Sequence, residues 1–246
     1  MTAYSYDGSI EGFYTCVLTA FERRETPENI VSERCMQLPL FSDIVPVSSS
    51  EEAAARVERG LVRRLGRGEA EHVKYAFLSD APNHEMTVLR YIQLAMRMGR
   101  YAFCAHANPI VSEFEALWKQ VANERHAMIQ FARFSEVGDG VYFARINPKA
   151  NVVPILMDHF ALRFNTQRFV IYDEVHRIAG VYADSDWSLV MTDQIEVPED
   201  TENETRYKDM WKSFYDTICN QERLNPALRR SFMPMRLWRN ITEMQP

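Results

Sequence analysis

No apolar run in this 246-residue chain approaches the roughly 20 residues needed to span a bilayer, so no helical membrane anchor is expected. The opening Met1-Thr2-Ala3-Tyr4-Ser5-Tyr6-Asp7-Gly8 has neither a basic n-region nor an apolar h-region, and no signal peptide is expected there. Cysteine is scarce. Cys16, Cys35, Cys104 and Cys219 stand far apart with no paired spacing, which argues against a disulfide frame and for reduced thiols in a cytoplasm. Internal repeats and low-complexity tracts are also missing.

Complete catalytic motifs are absent too. His84-Glu85-Met86-Thr87-Val88 begins like a zincin helix, but Val88 stands where the second ligand would be. Gly66-Arg67-Gly68 starts like a dinucleotide fingerprint, yet Glu71 replaces the third glycine and no strand leads in. There is no phosphate-cradling Gly-x-x-x-x-Gly-Lys-Ser/Thr and no Gly-x-Ser-x-Gly. Cys104 and His106 lack a third ligand at metal spacing, so neither a metal nor a cofactor is expected. Whether the chain is an enzyme stays open at this level.

What is present is an ordinary globular composition. Hydrophobic residues at 46% and charged ones at 25% support a substantial core and exclude wholesale disorder. The length permits one domain over 1–246, with a helical half at 1–126 and a hairpin-rich half at 127–246. The net charge of −6 is unevenly spread. Eight acids and no Lys or Arg lie between Asp184 and Thr205, and the remainder of the chain carries +2. Arginine clusters occur at Arg59, Arg63, Arg64, Arg67 and at Arg229, Arg230, Arg236, Arg239. A basic face opposite an acidic loop steers a polyanion; a surface whose charges average out is the plainer alternative.

Periodicity predicts a strand near Tyr4 and a helix capped by Ser9 with a stripe from Ile10 to Phe21. A loop containing Pro27, Pro39 and Pro46 follows, with a strand at Ile44 to Val47. Further helices are expected from Ser49 or Ser50 to Leu65, Glu69 to Leu78, Asn83 to Met98 and Ile110 to His126. Gly138-Asp139-Gly140 then turns a hairpin of Phe131–Val137 and Val141–Ile146. A helix from Pro154 to Phe164 precedes a second hairpin, Arg168–Asp173 and Arg177–Tyr182. After an acidic loop, a helix from Glu204 to Cys219 is expected to bury Tyr207, Met210, Trp211, Phe214, Tyr215 and Ile218. The expected class is α+β: an antiparallel sheet from the two central hairpins, with N- and C-terminal helices packed against it and no βαβ units.

Polar residues between 124 and 177 form the most unusual constellation. Arg133 sits among Ile129, Phe131 and Phe134; His159 and Arg163 share a helical face; Asp173, His176 and Arg177 bracket a turn. Arginine interleaved with aromatics must pair with a carboxylate or bind an anion. Two readings stand side by side. Either Arg133 and Arg177 pair with Glu124 and Asp173 while the histidines cap carbonyls, or Arg133, His159, Arg163, Asp173 and Arg177 gather in one anion-binding cleft. His126, His159 and Asp173 are the candidate proton carriers. In the tail, Arg229, Arg230 and Arg236 are candidate phosphate contacts and Trp238 a candidate stacking platform. The alternative there is a core-anchoring Trp238 with arginines paired to the acidic loop.

The segments Tyr6-Asp7-Gly8-Ser9, Glu11-Gly12-Phe13, Ala76-Phe77-Leu78-Ser79, Glu124-Arg125-His126 and Phe131-Ala132-Arg133-Phe134 follow one another in a recognisable order. So do Asn151-Val152-Val153-Pro154, His159-Phe160-Ala161, Ile171-Tyr172-Asp173 and the tail from Arg229 through Phe232, Pro234, Trp238 and Glu243. This order resembles a bacterial DNA metabolism protein family, an uncharacterised-domain family encoded beside a radical-SAM DNA modification or repair protein. Longer members carry a uracil-DNA-glycosylase-like domain, and base excision belongs to that added part. Ala127 and Gln130 depart from the pattern, where Arg and Gly are expected. The resemblance implies a DNA repair or modification accessory protein that acts with the radical-SAM partner and contacts DNA. The alternatives are a base-processing enzyme in its own right and a pure protein adaptor for the radical-SAM enzyme.

Overall fold

The computed structural model describes residues 2–33, 43–192, 195–196 and 199–245. Cys35, Pro39 and Asp193 of the sequence reading lie outside the described residues. The chain divides into two compact units, 1–122 and 123–246.

The first unit is built on a three-stranded parallel sheet. Strand β1 (Thr2–Tyr6) lies between β2 (Asn29–Ser32) and β3 (Asp43–Pro46), with Tyr4 in register with both Ile30 and Val45. Helix α1 (Ile10–Arg23) connects β1 to β2, which makes a βαβ crossover where none was expected. The reason is β2: Asn29-Ile30-Val31-Ser32 is too short to show alternation inside a proline-bearing loop. Ser9 caps α1 as predicted, its hydroxyl accepting from the Gly12 N–H at 2.9 Å, and Arg24 in the left-handed region ends it. Gly12 is required because a Cβ there would lie 2.4 Å from Asp7 Oδ1 and 2.7 Å from Ser49 Oγ. Helices α2 (Glu51–Leu65), α3 (Arg67–Phe77) and α4 (His84–Met98) pack with α1 around Phe13, Leu61, Val73, Leu89 and Ile92. Helix α5 (Pro109–Phe131) supplies Phe114, stacked on Tyr91 at 3.6 Å, and runs on past residue 122.

The second unit holds a five-stranded sheet in the order β4-β5-β6-β7-β8. Strands β4 (Phe134–Gly138) and β5 (Val141–Ile146) form the first hairpin, through Gly138, Asp139 and Gly140, all at positive φ. Strands β6 (Arg168–Asp173) and β7 (Ile178–Ala183) form the second. The sheet is mixed rather than antiparallel. Between the hairpins, β5 and β6 run parallel because α6 (Val153–Arg163) carries the chain back across the sheet. A fifth strand, β8 (Asp186–Met191), occupies part of the stretch read as an acidic loop. Asp184 and Ser185, both at positive φ, make its two-residue turn without the glycine that would have announced it.

The broad α+β class therefore stands, with two sheets rather than one. The Ser9 helix belongs to the first unit and its parallel sheet. Helix α7 (Glu202–Ile218) meets the β4 edge, where the Thr201 N–H donates to Glu136 O at 3.1 Å. Its apolar stripe is not buried, contrary to its amphipathic pattern. The tail adds α8 (Pro226–Phe232) and two short 3-10 turns, Met235–Asn240 and Thr242–Met244, so the chain breaks at Pro234 as its ring requires.

Candidate anion-binding site

Side chains alternate across each strand, and the two faces of the five-stranded sheet are used differently. One face packs α6: Phe134 meets Phe160 and Phe164 edge-on, and Phe169 stacks with Tyr182 at 5.0 Å. Gly180 lets α6 approach, since a Cβ there would lie 2.3 Å from Met157 Sδ. The next residues along the strands, Ser135 paired with Phe143 and then Arg145, fall on the other face. There the sheet, the start of α7 and the tail enclose a pocket of about 280 Å³.

Four cations line it: Arg133, Arg145, Lys208 and Arg239. Each is held by a carboxylate. Arg133 donates to Glu243 Oε1 at 3.1 Å and to the Gln130 carbonyl at 3.2 Å. Glu174 bridges Arg145, at 3.0 Å, and Arg239. Lys208 donates to Asp200 at 2.6 Å. Glu243 also accepts the Trp211 indole N–H at 3.0 Å. Burial pushes its carboxyl up, but its own backbone N–H, Trp211 and Arg133 outweigh burial and hold it below the usual range. Four cations against Glu243, Glu174 and Asp200 leave one net positive charge around a polar hollow. A guanidinium fixed on one side by a carboxylate keeps other N–H groups for a second acceptor, and a phosphate oxygen suits that geometry.

Of the five groups expected in one cleft, Arg133 alone lines this pocket. Its partner is Glu243 rather than Glu124. Asp173 is completely buried and serves its own turn: Oδ1 accepts from the Val175 and His176 N–H groups, and Oδ2 meets His176 Nδ1 at 2.5 Å. Arg177 is exposed in the same turn at φ 56°. His159 and Arg163 sit on α6, with Arg163 exposed and 5.7 Å from the Phe164 ring centre. His159 Nε2 is buried without a hydrogen-bond partner among the described residues. Burial, reinforced by Arg125 and Arg163, pushes its pKa down. His126 is exposed on α5 beside Gln130, 2.9 Å away.

The tail divides. Arg236 is structural, bound through one nitrogen to both oxygens of Glu124 at 2.8 and 2.7 Å and through another to Asn147 O at 2.9 Å. Trp238 is half-buried, donates to Met233 O at 2.9 Å, and carries the Arg229 guanidinium 5.0 Å above its ring. Arg230 is exposed. The pocket cations Arg145 and Lys208 were not singled out from the sequence. For Arg145 the only signal is its alternation with Phe143 on β5; for Lys208 there is none, because α7 reaches the pocket by tertiary contact.

Among the described residues no group of three or more His, Cys, Asp or Glu side chains could hold a metal ion. No helix among them is long and apolar enough to cross a membrane. The Cys16 thiol is pushed up to about 12, mainly by burial, and is chemically quiet. No curated protein matches the chain. A family model does, over residues 82–243, which takes in α4, α5, the whole five-stranded sheet and the pocket. The chain belongs to that family, described as a domain of unknown function, DUF4130.

Proposed function

We propose that this protein is a DNA repair or modification accessory protein that contacts the nucleic-acid backbone and acts with a radical-SAM partner. The observation that carries the reading is the pocket lined by Arg133, Arg145, Lys208 and Arg239. Cations braced by carboxylates on a rigid sheet face suit phosphate oxygens, and phosphates supply most non-specific nucleic-acid affinity. The ordered resemblance of the sequence motifs to the DNA metabolism family supports the same reading and supplies the partner. A long apolar stripe on α7 leaves surface for a protein partner as well.

The test is titration of the full chain with a labelled oligonucleotide at stepped salt, followed by co-purification with the radical-SAM protein. Binding whose logarithm falls linearly with the logarithm of salt supports the reading. Absence of binding at low salt by the chain, alone and with its partner, overturns it.

A further inference from the structure

Helix α7 has the sequence of a core helix and the surroundings of a surface one. Tyr207, Met210, Trp211, Phe214 and Ile218 recur at helical spacing on one face, and each is between 45% and 66% exposed. Not one residue of the 17 in α7 is buried. Lone exposed apolar residues need no explanation; a continuous stripe of five large ones does. Lys208, which lines the pocket, sits to one side of the stripe, so the stripe and the pocket are separate surfaces.

We propose that this stripe pairs with the same stripe of a second copy of the chain, antiparallel, about a twofold axis. This goes beyond the nucleic-acid reading and does not depend on it. The charges at the two ends of α7 select the occupant and its direction. The N-terminal end is acidic, with Glu199 and Glu202 exposed and Glu204 following. The segment after the C-terminal end is basic, with Arg223 and Arg230 exposed. An antiparallel pair sets the acidic end of each copy against the basic segment of the other, twice per dimer, whereas a parallel pair sets acid against acid. The stripe is centred between Lys212 and Ser213. Pairing about that point sets Tyr207 opposite Ile218 and Trp211 opposite Phe214 of the second copy, so aromatic rings meet at the centre.

Sedimentation equilibrium of the full chain over about 1 to 100 μM tests this, because association is concentration-dependent. The expected result is a dimer that Phe214→Glu weakens by about 30-fold or more, with an unchanged melting curve at low concentration. Glu202→Arg weakens the dimer to a smaller, salt-dependent extent, and the exchange Glu202→Arg with Arg223→Glu restores it. Should Phe214→Glu fail to fold, the charge exchange alone decides. A monomer throughout, an open-ended polymer, a dimer indifferent to both variants, or a stripe filled by a different protein overturns the proposal.

Discussion

Arg236 grips both carboxylate oxygens of Glu124, at 2.8 and 2.7 Å, across 112 positions of sequence. The pair ties the C-terminal segment to the end of α5, where Glu124 also accepts the Lys149 N–H at 3.0 Å. Glu124 is buried, so removing its guanidinium leaves a desolvated charge with one backbone donor. Arg236→Ala is expected to destabilise the second unit by about 3–5 kcal/mol. Arg236→Lys recovers part of this, because an ammonium lacks the planar fork that also reaches Asn147. Chemical denaturation reads the effect directly. A loss of DNA affinity in Arg236→Ala without a loss of stability contradicts the assignment.

Glu243 joins Arg133 to Trp211, and its carboxyl is held below the ordinary range. A group whose folded pKa lies below its unfolded value stabilises the fold above the unfolded value. That contribution is lost as pH falls through the folded one. Glu243→Gln is expected to lower stability by about 1–3 kcal/mol at neutral pH. The difference from wild type shrinks below the ordinary glutamate value of about 4.3. Urea midpoints followed from neutral to acid pH check this, and a constant difference throughout goes against it.

His159 acts with the same sign at a higher pH. Burial, then Arg125 and Arg163, depress its pKa, so the unfolded chain binds the proton more readily than the native one. Its contribution to stability is complete above the unfolded histidine value of about 6.5 and is lost as pH falls below it. His159→Leu removes both the titration and the unpartnered Nε2. The variant is expected to lose less stability than wild type on acidification through this range. Parallel stability curves for the two proteins contradict that expectation.

Gly180 on β7 faces Met157 and Val153 of α6 with no room for a Cβ. Gly180→Ala is expected to cost about 1–3 kcal/mol by forcing α6 from the sheet. Met157 is fully buried and cannot swing aside into solvent. Adding Met157→Ala relieves the clash, so the double variant is less destabilised than the two single changes combined. Strict additivity in a double-mutant cycle excludes the contact as the cause.

Local signals were legible where chain geometry is local. The Ser9 cap, the Gly138-Asp139-Gly140 turn and the break at Pro234 all appear where their residue chemistry placed them. What escaped is non-local. Strand β2 has four residues and no readable period, so the βαβ crossover through α1 was invisible. The parallel β5–β6 pairing depends on where α6 packs, and hairpin signals do not carry that information. Periodicity established that α7 is amphipathic but not which surface covers it. At the candidate site, Arg133 was legible as an arginine among aromatics. Its partner Glu243 lies 110 positions away, and no spacing rule reaches that far.

The measurement closest to the central claim is oligonucleotide anisotropy against salt for wild type and Arg145→Ala with Lys208→Ala. Both side chains line the pocket and are at least partly open to solvent, so the fold is expected to survive, with melting temperature as the control. If the pocket holds backbone phosphate, the double variant binds a single strand more weakly and its log–log salt slope falls by roughly 1.4 at most. Equal affinities and equal slopes in two well-folded proteins contradict the pocket as a nucleic-acid contact.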